Sequence, residues 1–261
     1  MTNSPSQILY LKKLKLHHQF VIFFRIFILV FFLVFWELGT RNGWIDSFIF
    51  SSPSKIMKCY WNMVLDKSIF LHIGITLFET VISFILVTIL SLFIAVLLWF
   101  IPDLSEIADP YLVVLNSLPK SALAPLLIVW FGATHTTIII AGMSVAIFGS
   151  ILSLYTSFKN TDPEKIKLIY TLHGNRFHAL TKVVLPSSIP AILSIMKVNI
   201  GLCLVGVIIG EFLAARSGLG YLIIYSSQVF KMDWLLMSIV LLCIMAFMLY
   251  FSIVIIEKLW K

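Results

Sequence analysis

The groups that could carry catalysis or hold a metal are few in this chain: twelve carboxylates, six histidines and three cysteines among 261 residues. His173 and His178 lie five apart with no third ligand spaced to complete a metal site, and Cys59, Cys203 and Cys243 are scattered without metal or disulfide spacing. No Ser-His-Asp arrangement or paired carboxylate stands out. The phosphate-cradling pattern GxxxxGK[ST] does not occur, so no ATP hydrolysis by this chain alone is expected. What remains is charge and amide in places where both are costly. Lys197 lies inside an apolar run, where it either lines a path and attracts an anion, or pairs with Glu79, or snorkels. Asn116 and Asn199 could hydrogen-bond a solute or bridge two helices. Glu211 could seal an outer gate or pair with Arg216.

The elements that must position these groups are apolar. Sixty per cent of residues are hydrophobic and 12% are charged, and uncharged runs near 20 residues recur. Such runs mark an integral membrane protein, here an all-α polytopic bundle of about six spans in one domain, residues 1–261. The spans expected are 20–36, 81–101, 111–131, 137–158, 189–210 and 234–256. The first follows Lys12, Lys13 and Lys15 and is read as an uncleaved span. The third contains Asn116, Pro119, Lys120 and Pro125, so it is expected to be interrupted and to face the bundle interior, where freed carbonyls can be satisfied. Between the first two spans, "SSPSKIMKCYWNMVLDK" reads as a short amphipathic helix. "PDLSEIADP" reads as a loop and 211–233 as an amphipathic connection. Gly206 and Gly210 form a small-xxx-small pair for close helix packing, and Gly218 and Gly220 shape a turn.

The formal charge of +7 does not point to nucleic acid, because no basic face with interleaved aromatics is present. The cations follow the membrane instead. Ten (Lys12, Lys13, Lys15, Lys159, Lys165, Lys167, Arg176, Lys182, Lys258 and Lys261) fall on the face with the termini and the 159–188 stretch. Six (Arg41, Lys55, Lys58, Lys67, Arg216 and Lys231) fall opposite. Both termini are therefore expected in the cytoplasm.

The stretch 159–188 is the one long polar insertion between spans. Within "NTDPEKIKLIYTLHG", Thr161 or Asp162 can cap a helix, Pro163 suits its first turn, Glu164 favours its positive end and Gly174 can terminate it. Ile166, Ile169 and Tyr170 share one side. The residues allow either a surface loop at the headgroups or a docking helix for a cytoplasmic partner, after which the chain re-enters the membrane through "LPSSIP".

Five segments in order, "SPSKI" (52–56), "LPKSALAPLLIVWFG" (118–132), "NTDPEKI" (160–166), "VVLPSSIPAIL" (183–193) and "GEFLAARSGLGYLI" (210–223), resemble the membrane permease of ABC importers, in the branch handling sulfonate, taurine, nitrate and similar solutes. The resemblance implies a type I importer fold and a homodimer in a bacterial cell membrane. Partner ATPases would carry ATP and Mg, this chain would bind no cofactor, and an extracytoplasmic solute-binding protein would deliver cargo. It implies a coupling helix over about 162–176, with Asp162, Glu164, Lys167, Leu168, Ile169, Leu172, His173, Gly174 and Arg176 toward the ATPase. Asn116, Pro119, Lys197 and Asn199 would line the path, and Glu211 would stand at the outer gate. The family's Glu-Ala-Ala…Gly signature, counted back from Pro186, falls on Lys167, Leu168, Ile169 and His173, none of which carries the family's residue. A vitamin-precursor importer remains an alternative cargo class. A secondary transporter or channel would be expected to show inverted repeats or strings of intramembrane charges, and an intramembrane enzyme a catalytic cluster; neither is present.

Overall fold

The computed structural model describes residues 5–260, with side chains from 13 to 259; the side chains of Lys12 and Lys261 lie outside the described residues. The described chain is helical, without strands. Its helices are α1 (Pro5–Arg41), α2 (Pro53–Leu65), α3 (Ser68–Phe100), α4 (Pro102–Ser117), α5 (Lys120–Phe131), α6 (His135–Lys159), α7 (Pro163–Thr171), α8 (Arg176–Ala179), α9 (Leu185–Ala214), α10 (Leu219–Gln228) and α11 (Met232–Trp260), with a π-helical turn over Leu180–Val184. Five helices or continuous helical runs are long and apolar enough to cross a membrane, and six if α4 and α5 make one bent span.

The centre of the fold is the packing of α6 against α9 and α3. Glycine sets that distance. A Cβ on Gly206 would lie 2.8 Å from the Ala141 carbonyl oxygen, and one on Gly142 would lie 2.8 Å from Val207 Cγ2 and 3.0 Å from Ser83 Cβ. A Cβ on Gly210 would lie 3.1 Å from Ile138 Cα. The small-xxx-small pair therefore works within one chain, joining α9 to α6. Two buried clusters flank this seam. One gathers Val87, Ala146, Ile200, Cys203 and Leu204 with α2, α10 and α11; the other gathers Ala95, Leu154, Phe158, Leu180 and Val184 near α7.

Three expectations need correction. "PDLSEIADP" is not a loop: Pro102 occupies the first turn of α4, where its missing N–H costs nothing, and Pro110 is carried inside the helix. The third span is broken at Leu118–Pro119, as expected, but its second half does not face inward within the single chain. α4 and α5 meet at 95°, with Leu118 extended before Pro119, as a residue preceding proline prefers. Most of α5 is exposed in the single chain, and only Ala124 is buried. The fifth span does not begin at 189, since helix runs from Arg176 to Ala214. Pro186 cannot accept the ordinary register, and Leu185 N–H donates to the Leu180 carbonyl, a five-residue step that absorbs the disruption.

α2 forms as the Ser-Pro start suggests. Ser52 Oγ accepts from Lys55 N–H at 3.3 Å, and Ile56, Cys59 and Met63 are buried. Burial pushes the Cys59 thiol up to about 11, so it stays unreactive to maleimide at neutral pH; fast labelling would show α2 undocked. Gly206→Leu should overpack the α6–α9 seam and cost about 1–3 kcal/mol, lowering the melting temperature in detergent. Gly201→Leu on the same helix, where a Cβ meets nothing within 4 Å, should leave it unchanged. Equal effects would contradict the seam.

Candidate functional site

The connection from α6 to α9 is built as a rigid projection. Asp162 caps α7, its Oδ1 accepting from Glu164 N–H at 2.9 Å, with Pro163 and Glu164 in the first turn. The other end closes in a Schellman turn: His173 N–H donates to the Tyr170 carbonyl at 3.1 Å and Gly174 N–H to the Ile169 carbonyl at 2.8 Å. The left-handed residue of this turn is His173, at φ +59°, not Gly174. Gly174 is required for space, since a Cβ there would sit 2.8 Å from the Ile169 carbonyl oxygen. His173, where the importer signature's glycine falls, thus holds a left-handed backbone while carrying an imidazole side chain.

Beyond the turn, Asn175 and His178 cap α8 reciprocally. His178 N–H donates to Asn175 Oδ1 at 2.9 Å, and Asn175 N–H to His178 Nδ1 at 3.3 Å. Arg176 then fastens the segment to the end of α3. Its Nη2 donates to the Trp99 carbonyl at 2.9 Å, and its guanidinium lies 5.3 Å from the Trp99 ring centre and 5.8 Å from that of Phe100. A cation on the last carbonyls of a helix is favoured by the helix dipole as well.

The two faces of this projection differ. Ile166 packs inward against the cluster of Leu154, Phe158 and Leu180, and Ile169 is half-buried against Gly174. No residue of α7 is fully buried. Leu168 (58% exposed), Leu172 (70%), Tyr170 (47%) and Phe177 (59%) point away from the bundle beside Glu164, Lys165 and Lys167. This is an anchored helix carrying an unpartnered apolar surface, not a strand of loop lying along the bundle.

The other singled-out residues do not gather with it. Asn116 and Pro119 form the α4–α5 elbow; the Asn116 carbonyl accepts from Lys120 Nζ, and its amide faces Gly149 of α6. Asn199 is buried, donating to Ser150 Oγ at 2.8 Å, and Ser150 bonds Ser91 at 2.9 Å, so it ties α9 to α6 and α3. Lys197 does not pair with Glu79. It holds Glu257, in the last turn of α11, at 2.7 Å. Glu211 does not pair with Arg216, which is exposed. It is enclosed by Thr76 Oγ1 at 2.6 Å and Gly220 N–H at 2.6 Å. Glu79, buried beside it, bonds His135 Nδ1 at 2.7 Å. The sequence therefore hid a carboxylate pair: 132 positions separate its members, and only the packing of α3 on α9 joins them. Among the described residues no group of three or more His, Cys, Asp or Glu is arranged to hold a metal.

The turn makes a specific prediction. His173→Gly should be tolerated, the strain relieved and the backbone entropy lost offsetting within about 1 kcal/mol. Gly174→Val should break the 6→1 bond and speed proteolytic nicking at 172–176. Nicking that is fast in His173→Gly and slow in Gly174→Val would reverse the assignment.

Comparison with known proteins meets this geometry. The model of the binding-protein-dependent transport system inner membrane component family matches residues 88–259, about two thirds of the chain and spanning the projection. A Haemophilus influenzae protein named "Probable ABC transporter permease protein" is 28% identical, over 85% of this chain and 89% of that protein. The riboflavin transport system permease protein RibX of Chloroflexus aurantiacus is 26% identical over 88% and 86%. The taurine transport system permease protein TauC of Escherichia coli is 23% identical over 84% and 82%. The inward-facing structure of the MetNI methionine ABC transporter shares the fold, with TM-score 0.64 at 15% identity over 73% of this chain and 94% of that one. The chain belongs to the family of inner membrane components of binding-protein-dependent transport systems, as a multi-pass ABC importer permease subunit and not an enzyme.

Proposed function

We propose that the projection over 162–176, with Phe177 at its edge, is where a partner ATPase grips this permease, and that two copies of the chain together enclose the path of a small organic solute. The observation that carries this reading is the exposed group Leu168, Tyr170, Leu172 and Phe177 on a projection, α7 to α8, fastened at both ends. A partner pushing on α7 moves α9 and the end of α3 with it, because Arg176 and the Schellman turn leave no slack between them. That is how a short lever turns ATPase closure into a rigid-body swing. Nucleotide and Mg belong to the partner. Both termini and the projection lie on the more basic face, the cytoplasmic side by the positive-inside rule. Asn116 and Pro119, at an elbow whose outer surface is exposed, belong to the path between copies.

Cargo delivered by an extracytoplasmic binding protein is of the sulfonate or taurine kind in the first reading. The Lys197–Glu257 pair favours a second one. With its charge paired to Glu257, Lys197 is not free to draw in an anion, and a heterocycle of the vitamin-precursor kind fits as well. Competition of uptake by taurine against riboflavin separates the two.

Replacement of Leu168 or Leu172 by Glu should leave membrane insertion and melting temperature unchanged. It should cost about 2 kcal/mol or more of ATPase binding, a loss of more than about tenfold in solute-stimulated ATP hydrolysis by the assembled complex. Normal coupling in both variants would remove α7 from the ATPase contact.

A further inference from the structure

The end of the bundle remote from α7 holds a feature that the transport reading does not use. Glu79 of α3 and Glu211 of α9 are 0% and 1% exposed, and their carboxyl groups lie within hydrogen-bonding reach of each other. Every donor around them can be named. Glu211 takes the Thr76 hydroxyl at 2.6 Å and the Gly220 N–H at 2.6 Å. Glu79 Oε1 takes His135 Nδ1 at 2.7 Å. Glu79 Oε2 is buried and has no hydrogen-bond partner. The other titratable groups near the junction are spoken for or remote. His72, near the start of α3, accepts the Gly218 N–H at 3.1 Å and stacks on Tyr221 of α10, Arg216 is exposed, and α10 gives the carboxyl groups themselves only the Gly220 N–H.

Two ionised carboxylates in contact, enclosed by helices and with one oxygen lacking any donor, repel one another and leave a buried acceptor unsatisfied. A metal ion does not resolve this. The turn at Gly218–Gly220 is wrapped so closely that a Cβ on Gly218 would sit 2.5 Å from Glu211 Cδ and one on Gly220 would sit 2.7 Å from Oε2. No third acidic, histidine or cysteine ligand completes a metal site among the described residues. A proton needs no such room. It converts the orphan oxygen into a donor and the repelling pair into a hydrogen bond.

We infer that Glu79 and Glu211 form a proton-binding site that holds one shared proton and thereby clasps α3, α6, α9 and the α9–α10 turn at this end of the bundle. His135, whose side chain is 65% exposed while its Nδ1 touches Glu79, is the group through which that proton exchanges with the surrounding medium. Occupied, the site joins the four elements. Emptied, it sets two negative charges against each other beneath the last turn of α9.

Infrared difference spectroscopy on the purified full-length chain in lipid nanodiscs tests this. At neutral pH the wild-type protein should show the C=O stretch of a protonated carboxylic acid, shifting in D2O. The band should be lost in Glu79→Gln and in Glu211→Gln, and kept in Glu164→Gln at the exposed projection. Glu79→Gln should melt within a few degrees of wild type, because its amide N–H replaces the proton. Absence of the band from the wild-type protein, a reading that needs no variant to fold, would overturn the inference. So would its persistence in either pair variant.

Discussion

Everything in this molecule depends on how closely α6 and α9 approach each other. Gly142, Gly206 and Gly210 leave no room for a side chain at the seam, so backbone lies on backbone, and Ser83 of α3 fits into the same gap. In lipid there is no hydrophobic drive between helices, and such close contact supplies dispersion and short polar links instead. The Asn199–Ser150–Ser91 bonds run through the same three helices. The result is a stiff three-helix body with two finished ends. At one end the α6–α9 connection projects as α7. At the other the α9–α10 turn folds back onto Glu211.

Stiffness is what gives the projection its meaning. A loop with exposed leucines would be a liability. A helix capped by Asp162, closed by His173 and Gly174, and tied by Arg176 to the Trp99 carbonyl is a rigid projection, which is what the proposed lever requires. Its inner face, Ile166 and Ile169, makes it part of the bundle, while Leu168, Tyr170, Leu172 and Phe177 stay exposed. The departures from the family signature read consistently here. Where the family places small residues this chain places Leu168 and Ile169. The first is presented outward, and the second is used inward to pack the terminating turn.

Much of this was legible in the sequence, and the failures have physical causes. Uncharged runs give the spans because only helices satisfy their own backbone in lipid, and the Ser52-Pro53 and Asp162-Pro163 pairs mark helix starts because their capping is local. Pro102 and Pro110 misled in the opposite sense. Proline signals a loop by composition, yet its position in the first turn of α4 makes it a helix start. The partner of Lys197 was misjudged because no local pattern reveals that Glu257, 60 positions away, stands opposite it. The turn at 173–174 was read one residue out, since glycine is the usual left-handed residue and here it serves close packing. The Glu79–Glu211 pair is a long-range contact that no local pattern encodes.

Hydrogen–deuterium exchange on the chain in nanodiscs, with and without its partner ATPase, tests the central claim most directly. Peptides covering 163–177 should slow markedly on ATPase addition, while those of α2 and of the α9–α10 turn stay unchanged. Unchanged exchange over 163–177 alongside protection elsewhere would show that the partner grips another surface and that α7 is not the lever.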